Sequence, residues 1–284
     1  MPSKKLHLAS GCLYVVATPI GHLSDLSERA RTTLALADCV VCENKPKALG
    51  LMSHLGIKKR LLSMNAGNES AQVDIALGYL MQSLSVALIS DAGTPAVSDP
   101  GYLLVKACHE RSIPVSPIPG PSALTAALST SGMPSTEFVF VGFLPRTSSL
   151  RLKQLSRWVE RIRTLVFYES SRRLPDTLSD CLAIYGEHAH VCIARELTKI
   201  HESIQTTELG LLVKQDLSSI KGECVIILSV EQSDASGLTK QDERLMSILL
   251  KHHKLGDAAK LCAQITDKRR ASFYAYGQRL KVVE

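Results

Sequence analysis

The residues with the clearest capacity for chemistry lie between 88 and 101, where the chain reads Leu-Ile-Ser-Asp-Ala-Gly-Thr-Pro-Ala-Val-Ser-Asp-Pro-Gly. An apolar run ends at Asp91, and a Gly-Thr-Pro turn follows it. Ligands of open α/β sheets bind beyond the carboxyl ends of strands, where a carboxylate can accept hydrogen bonds from an amine or a ribose hydroxyl. Gly93 lets a ligand approach the backbone, while Pro95 and Pro100 stiffen the loop. Turn chemistry alone leaves two interpretations open, a ligand site and a structural turn.

Two further segments place a tight turn next to a predicted element. Residues 17–21 read Ala-Thr-Pro-Ile-Gly after an apolar run, and residues 119–123 read Pro-Gly-Pro-Ser-Ala before a helical pattern. The amides at a helix start and the Ser122 hydroxyl can hold polar groups of a ligand. The sequence has neither a Walker loop nor a Gly-x-Gly-x-x-Gly motif after its first strand, which disfavours the common nucleotide-phosphate folds.

Short apolar runs alternate with helical patterns, and this alternation positions the three segments. The first half predicts strands at 13–17, 39–42, 86–90 and 113–117, with helices at 25–37 and 102–111. The second half predicts strands at 138–143, 164–168, 191–194 and 224–229, with helices at about 149–161 and 173–185. Such alternation is typical of mainly parallel sheets with crossover helices, so we expect an α/β fold.

Breaks in this pattern divide the chain. The turn-rich residues 117–122 interrupt it once, and a polar stretch at 231–240 ends it. We therefore predict an N-terminal α/β domain over residues 1–118, a second α/β domain over 119–232, and a basic helical tail over 233–284. The length of 284 residues suits two ordinary domains, at roughly 100–200 residues each.

Composition narrows the class of protein. Apolar residues make up 45% of the chain and charged residues 21%, an ordinary globular balance. No apolar run approaches the roughly 18–20 residues that span a bilayer, and no secretory leader pattern is visible, so we expect a soluble cytoplasmic protein. The only close cysteine pair, Cys39 and Cys42, is three apart on a predicted strand and would face opposite sides of the sheet. We predict reduced core cysteines and no metal site.

The net charge of +6 is distributed unevenly. One basic cluster lies in the second half, at Arg146, Arg151, Lys153, Arg157, Arg161, Arg163, Arg172 and Arg173. Another lies near the C-terminus, at Lys251, Lys254, Lys260, Lys268, Arg269, Arg270, Arg279 and Lys281. Such clusters suit a polyanion such as RNA, although a solvated helix face is an equally open interpretation of either one.

Seven segments in order give the chain a specific resemblance. They are residues 13–21, 90–101, 119–123, 142–145 (Gly-Phe-Leu-Pro), 167–170 (Phe-Tyr-Glu-Ser), 194–199 (Ala-Arg-Glu-Leu-Thr-Lys) and 221–223 (Lys-Gly-Glu). The chain resembles the tetrapyrrole-methylase-type, or class III, S-adenosylmethionine methyltransferases. Within them it is most similar to the ribosomal RNA small-subunit methyltransferase I family, which methylates the ribose 2′-hydroxyl of a cytidine in 16S rRNA.

The resemblance implies two α/β domains with S-adenosylmethionine folded into the cleft between them. It also implies a homodimer and, as substrate, 16S rRNA in the assembled 30S subunit. Carried over by motif, the cofactor would contact residues in both halves, namely Pro19, Asp91, Gly93, Thr94, Ser122, Ala123, Tyr168, Ala194 and Gly222.

Methyl transfer to a hydroxyl needs alignment of the oxygen with the methyl group and removal of a proton. A ribose hydroxyl is a weak acid, so a nearby base or cation would help. The candidate catalytic bases are Glu43, Glu169 and Glu196, which lie at the ends of predicted strands. Lys199, with Arg195, could stabilise an oxyanion or hold a phosphate. An interdomain ion pair remains the alternative role for each acid.

The sequence departs from the family pattern at two places. The family usually reads Glu-Asp-Thr-Arg where this chain reads Glu-Asn-Lys-Pro at 43–46, and His-x-His-Asn-Glu where it reads Asn-Ala-Gly-Asn-Glu at 65–69. Both changes lie in the N-terminal half, and we expect them to lie away from the segments assigned to the cofactor. They concern substrate docking and rate more than cofactor binding.

Three functions therefore stay open. The leading hypothesis is an rRNA ribose methyltransferase. A methylase of a small tetrapyrrole-like acceptor is a second, but such a substrate gives no reason for a basic helical tail. The third is a cofactor-binding paralogue with lost or altered methyl transfer, which only the departures at 44–46 and 65–67 support.

Overall fold

The computed structural model of the chain describes residues 8–65, 67–159, 162–217, 220–229, 238, 240–266 and 268–282. The predicted linker at 231–240 lies almost wholly outside these residues, as do Ala66 and Arg161. Among the described residues, no helix combines the length and apolar character needed to cross a membrane.

The first half forms a five-stranded parallel sheet in the order β3-β2-β4-β1-β5. Its strands are β1 (Leu13–Val16), β2 (Cys39–Cys42), β3 (Arg60–Ser63), β4 (Val86–Ile89) and β5 (Val115–Ile118). Helices connect them: α1 (Glu28–Leu36), α2 (Lys45–His54), α3 (Glu69–Met81) and α4 (Tyr102–Glu110). Every residue of β2 and β4 is buried, as expected when helices cover both faces of a parallel sheet. Because β1 and β4 are neighbours, the loops at their carboxyl ends meet.

The second half forms another five-stranded sheet, in the order β6-β7-β10-β8-β9. Its strands are β6 (Phe138–Phe143), β7 (Thr164–Ser170), β8 (His190–Arg195), β9 (Ser203–Glu208) and β10 (Glu223–Ser229). Helix α5 (Ala123–Thr130) precedes the sheet, and its other helices are α6 (Ser148–Ser156), α7 (Leu174–Tyr185) and α8 (Leu209–Leu212). Only β6 and β7 pair in parallel, whereas the other three pairs are antiparallel.

The C-terminal helices α9 (Lys240–Leu250), α10 (Leu255–Thr266) and α11 (Arg270–Val282) pack around a small core of their own. Met246, Cys262 and Phe273 are fully buried there. All eight cysteines of the chain are buried, and none forms a disulfide. Their burial in apolar surroundings fits their prediction as core residues.

The α/β class is confirmed, and the predicted parallel arrangement holds for the first sheet but is wrong for the second. The edge strand β9 is polar and largely exposed, so it has no apolar run in the sequence; it pairs antiparallel with β8, which also pairs antiparallel with β10. The sequence pattern also did not predict α2, β3 and α3. Helix α2 was not recognised because a proline occupies its first turn. The domain limits stay predictions. The first limit follows directly on β5, and the second falls outside the described residues.

Candidate active site

The loop after β1 and the loop after β4 are joined by backbone hydrogen bonds. Thr18 donates its amide to the Gly93 carbonyl at 2.9 Å, and Gly93 donates back to Thr18 at 3.0 Å. Gly93 has a φ of +78°, a conformation that glycine adopts without steric cost. Two of the three segments singled out by their chemistry are thus parts of one structure. The third segment, residues 119–123, is joined to the other two because the Thr94 hydroxyl donates a hydrogen bond to the Pro121 carbonyl at 3.1 Å.

These loops border a cleft of about 300 Å³ between the two sheets. Residues from the first half, from the start of α5 and from the second half all line it: Ile20, Glu43, Lys47, Asp91, Ala92, Gly93, Thr94, Val97, Asp99, Ser122, Ala123, Phe143, Tyr168, Glu169, Ala194, Glu196, Leu197, Lys199, Glu223, Cys224 and Val225. The lining combines apolar side chains with several convergent charged groups, the usual character of a small-molecule site.

Backbone strain concentrates at this cleft. Four residues other than glycine have a positive φ in the two loops that face it: Ala96 at +63°, Ser98 at +68°, Glu196 at +48° and Thr198 at +65°. Such conformations cost about 1–3 kcal/mol each and persist where the surrounding structure imposes them. Their position on both sides of one cleft indicates that the loops are shaped for a ligand.

Three carboxylates converge in the half of the cleft formed by the first sheet. Asp91 is paired with the Lys47 ammonium at 2.8 Å, and Glu43 and Asp99 line the same space. Burial, then the charge of Glu43 and that of Asp91, raises the pKa of Asp99 to about 6, against the lowering effect of the Ser90 hydroxyl. Burial and the Asp91 charge likewise raise the pKa of Glu43. Mutual repulsion of this kind favours a cationic ligand or a proton.

Glu196 belongs to an ion pair in the opposite wall. The Lys199 ammonium donates to it at 2.8 Å and lies 3.6 Å from Glu223. This hydrogen bond, helped by the Glu223 amide, lowers the pKa of Glu196. A Cβ on Gly222 would lie 2.3 Å from the Glu196 carboxylate, so Gly222 makes room for the pair. A carboxylate with a lowered pKa is a weak base, and Glu196 is better suited to holding Lys199.

Glu169 is buried with its side chain fully enclosed. Its carboxylate accepts hydrogen bonds from the Ser170 amide and the Thr177 hydroxyl, both at 2.8 Å, and pairs with Arg173 at 3.1 Å. These partners occupy both oxygens. Glu169 therefore has little capacity to take a proton from a substrate, and it fixes Arg173 instead.

The departure at 43–46 has a structural role in this protein. Asn44 is the N-cap of α2, and its side chain accepts a hydrogen bond from the Lys47 amide at 3.3 Å. Pro46 lies in the first turn, where its missing N–H costs nothing. The helix start thereby presents Lys47 to Asp91. Asn44, Lys45 and Pro46 therefore begin a helix, and the residue that follows them, Lys47, brings a cation into the cleft.

Glu69 positions the loop that contains Asp99. Its carboxylate accepts the amides of Gly101 at 2.8 Å and Leu103 at 3.0 Å, which begin helix α4. Unpaired amides at a helix start attract a carboxylate. The end of the strained loop 94–101 is therefore tied to α3, and Asp99 is held in the cleft wall.

The structure brings most of the predicted residues together. Seven of the nine residues assigned to the cofactor line the cleft, whereas Pro19 and Gly222 lie beside lining residues. All four catalytic candidates, Glu43, Glu169, Glu196 and Lys199, also line it, and the role of each stays a prediction. The sequence predictions assigned no site role to four further lining residues, Asp99, Lys47, Phe143 and Glu223. Among the described residues, no group of His, Cys, Asp or Glu side chains could hold a metal ion.

Comparison with known proteins agrees with this architecture. The family model described as Tetrapyrrole (Corrin/Porphyrin) Methylases matches residues 12–212. Among solved structures, cobalt precorrin-4 methyltransferase, a cobalamin biosynthetic enzyme, superposes with a TM-score of 0.57 at 15% identity. Uroporphyrin-III-C-methyltransferase from Thermus thermophilus gives 0.55 at 18% identity. The matches cover 77% and 78% of this chain but 95% and 94% of those chains. At such identities they show a shared fold.

Curated relatives match over a longer part of the chain. A Xylella fastidiosa protein named ribosomal RNA small subunit methyltransferase I is 42% identical over 268 residues, which cover 93% of this chain and 98% of the relative. A protein of the same name from Escherichia coli O157:H7 is 40% identical over 271 residues, covering 94% and 95%. The chain therefore belongs to the tetrapyrrole (corrin/porphyrin) methylase family, in the group of sequences named ribosomal RNA small subunit methyltransferase I.

Proposed function

We propose that this protein transfers the methyl group of S-adenosylmethionine to 16S rRNA of the small ribosomal subunit, with the ribose 2′-hydroxyl of a cytidine as acceptor. The observation that supports this most directly is the acidic, strained cleft in a chain about 40% identical, over nearly its whole length, to proteins of that name. A cytoplasmic homodimer is part of the same proposal.

The residues of the cleft fit a cationic cofactor. Bound S-adenosylmethionine supplies an activated methyl on a positively charged sulfur. Asp91, Glu43 and Asp99 offer negative charge, and a positive group among them would relieve their mutual repulsion. Apolar side chains, such as Ile20 and Leu197, border the same space and suit the uncharged parts of such a molecule.

The electrostatics of the cleft narrow the choice of proton acceptor. In the transfer, the carbon–sulfur bond breaks, a carbon–oxygen bond forms, and the hydroxyl proton must leave. Glu169 has both oxygens occupied, and the pKa of Glu196 is lowered. Burial raises the pKa of Glu43, and burial raises the pKa of Asp99 to about 6, closer to neutral pH, where a general base is most effective. We assign the proton to Asp99, whose pKa is about 6.

The C-terminal helices support an RNA acceptor over a small one. They lie beyond the residues that the tetrapyrrole methylase model matches. Their basic side chains are largely exposed, including Lys251 and Lys254 in the loop between α9 and α10, and Lys260, Arg269, Arg270 and Arg279. Lys268 is the exception in this group, because it is paired with Asp242. Exposed cations of this kind are available to phosphates.

The direct test is transfer of label from S-adenosylmethionine carrying a radioactive methyl group to small subunits that lack the modification. We expect label on a ribose of 16S rRNA, located by nuclease digestion and mass spectrometry. Tight cofactor binding with no label on RNA would favour the paralogue without transfer. Label only on a tetrapyrrole precursor, offered in parallel, would favour the small-acceptor methylase.

Neutralising the exposed loop between α9 and α10 tests the role of the tail. We expect the Lys251→Gln, Lys254→Gln variant to lower RNA affinity and to reduce the slope of log affinity against log salt concentration by about 0.7–0.9 per lost phosphate contact. Cofactor affinity, measured by calorimetry, should not change. Lys58→Gln, an exposed change before β3, is the control. Equal loss of cofactor and RNA binding would mean that the tail is structural.

A further inference from the structure

A second groove, of about 820 Å³, adjoins the cleft on the side of the second sheet. Phe143 and Glu169 line both spaces. The remaining walls of the groove are residues 144–146 and 170–173. Because the two spaces share lining residues, an extended chain lying in the groove would pass the cleft where methyl transfer is proposed to occur.

Phe143 stands at the junction with an unusually open ring. It is 59% exposed and ends the edge strand β6, of which one residue is buried. The pairing of β6 with β7 shifts register between Phe140 and Phe143, and Gly142 has a φ of +65°. Irregularities of this kind redirect side chains near functional sites. The Phe143 ring meets Tyr168 edge to face at 5.5 Å.

Two arginines hold the backbone beside this ring. Arg173 and Arg151 donate to the carbonyl oxygens of residues 144–146 at 2.8–3.3 Å. Each arginine is fixed by a carboxylate, Arg173 by Glu169 at 3.1 Å and Arg151 by Asp180 at 2.6 Å. The segment that presents Phe143 is therefore preorganised, which lowers the entropic cost of binding.

Two other arginines in the groove have free charges. Arg146 and Arg172 are exposed lining residues. Within the described part of the chain, no carboxylate pairs with either guanidinium. An exposed aromatic ring and two free cations lining one groove match the chemistry of single-stranded RNA, because bases stack on aromatic rings and phosphates bind arginines.

We infer that this groove binds the single-stranded RNA next to the acceptor nucleotide, with a base stacked on Phe143 and phosphates on Arg146 and Arg172. Double-stranded RNA exposes few base faces, so acceptors inside helices are hard to reach, whereas unpaired nucleotides can be splayed onto aromatic side chains. The inference rests on the proposed function and names the substrate-binding surface that belongs to it.

The charge component is tested by salt dependence. A fluorescein-labelled single-stranded oligoribonucleotide is titrated at several salt concentrations with wild-type protein and with Arg146→Gln, Arg172→Gln and the double variant. We expect the slope of log affinity against log salt to fall by about 0.7 for each single variant and about 1.4 for the double variant. Lys214→Gln, an exposed change after α8 and outside both the groove and the two basic clusters, should leave the slope unchanged.

The stacking component is tested with Phe143→Leu, which keeps an apolar side chain, and with Phe143→Trp, which keeps an aromatic face. We expect Leu to raise the KM for unmodified small subunits about ten- to hundredfold and Trp to restore it within a few fold. A purely structural role would be served as well by Leu. Cofactor affinity is measured for each variant so that an effect on the adjoining cleft is recognised.

The outcomes separate the two proposals. If the wild type labels 16S rRNA but neither the salt slope nor the KM responds to these variants, the groove assignment is wrong and the proposed function stands. If the wild type labels no RNA, the proposed function fails, and the oligonucleotide titration still decides whether the groove binds RNA. If the variants raise the KM for intact subunits but do not change binding to naked RNA, the groove contacts a ribosomal protein and the inference is overturned.

Discussion

Replacing Asp99 with Asn is expected to slow methyl transfer by about 10²–10⁴-fold while making the ligand-free protein more stable at neutral pH. Asn keeps the shape of the side chain and its contact with Ser90 but cannot take a proton. Opposite effects on rate and stability are the signature of a charge placed for function, because a group retained only for folding would not weaken the fold.

The sign of the stability effect follows from the raised pKa. Folded Asp99 has a pKa of about 6, above the ordinary value of 3.8, so the folded state holds the proton more tightly than the unfolded state. Stability falls as pH rises between these values, and the penalty is fully present at neutral pH. At about 1.4 kcal/mol per pKa unit, Asn should recover about 1–3 kcal/mol, which is a few degrees in Tm by calorimetry.

The pH profile distinguishes Asp99 from its neighbour Glu43. For the wild type, kcat/KM should decline as pH falls below about 6, because the base becomes protonated. This acid limb should disappear in the Asp99→Asn variant. If the decline of kcat/KM at low pH persists in the Asp99→Asn variant but is absent in the Glu43→Gln variant, Glu43 is the base. Asp74→Asn removes an exposed carboxylate from α3 and serves as the control, with no comparable change in rate or Tm.

The strand ends of the first sheet could be predicted from sequence because they combine short buried runs with turn-forming residues. They made residues 88–101 a candidate ligand site, and the resemblance to class III methyltransferases assigned Asp91, Gly93 and Thr94 to the cofactor; all three line the cleft. Asp99 could not be recognised in the same way. Its raised pKa depends on burial and on Glu43, a residue 56 positions away that only the folded chain brings near.

Charge clusters were also difficult to interpret from sequence. Arg151 belongs by sequence to the first basic cluster, yet it is buried and paired with Asp180. Arg146 is exposed in the same stretch. Composition cannot separate a cation that supports the backbone from one that is free, since the difference is the partner that the fold supplies. The antiparallel second sheet was missed for a similar reason, because its edge strand β9 is polar.

Asp91→Asn is expected to weaken S-adenosylmethionine binding by about 10–150-fold, the usual effect of losing a hydrogen bond to a charged group. Asp91 lies two residues after the buried strand β4 and lines the cleft. If Asp91 contacts the amine or a ribose hydroxyl, then S-adenosylhomocysteine, which shares these groups but lacks the positive sulfur, should lose a similar factor. Isothermal titration calorimetry measures both ligands directly.

The ion pair between Lys47 and Asp91 offers a second explanation for weaker cofactor binding in the Asp91→Asn variant, and this explanation can be tested. Because Lys47 is bound to Asp91 at 2.8 Å, removing the carboxylate also leaves an unpaired cation that repels a cationic ligand. Lys47→Gln removes that cation, so the double variant separates the two effects in a double-mutant cycle. A loss that remains in the Lys47→Gln background means that the Asp91 carboxylate holds the cofactor. A loss that disappears there means that Asp91 acts by neutralising Lys47, and its assignment as a cofactor ligand is then wrong.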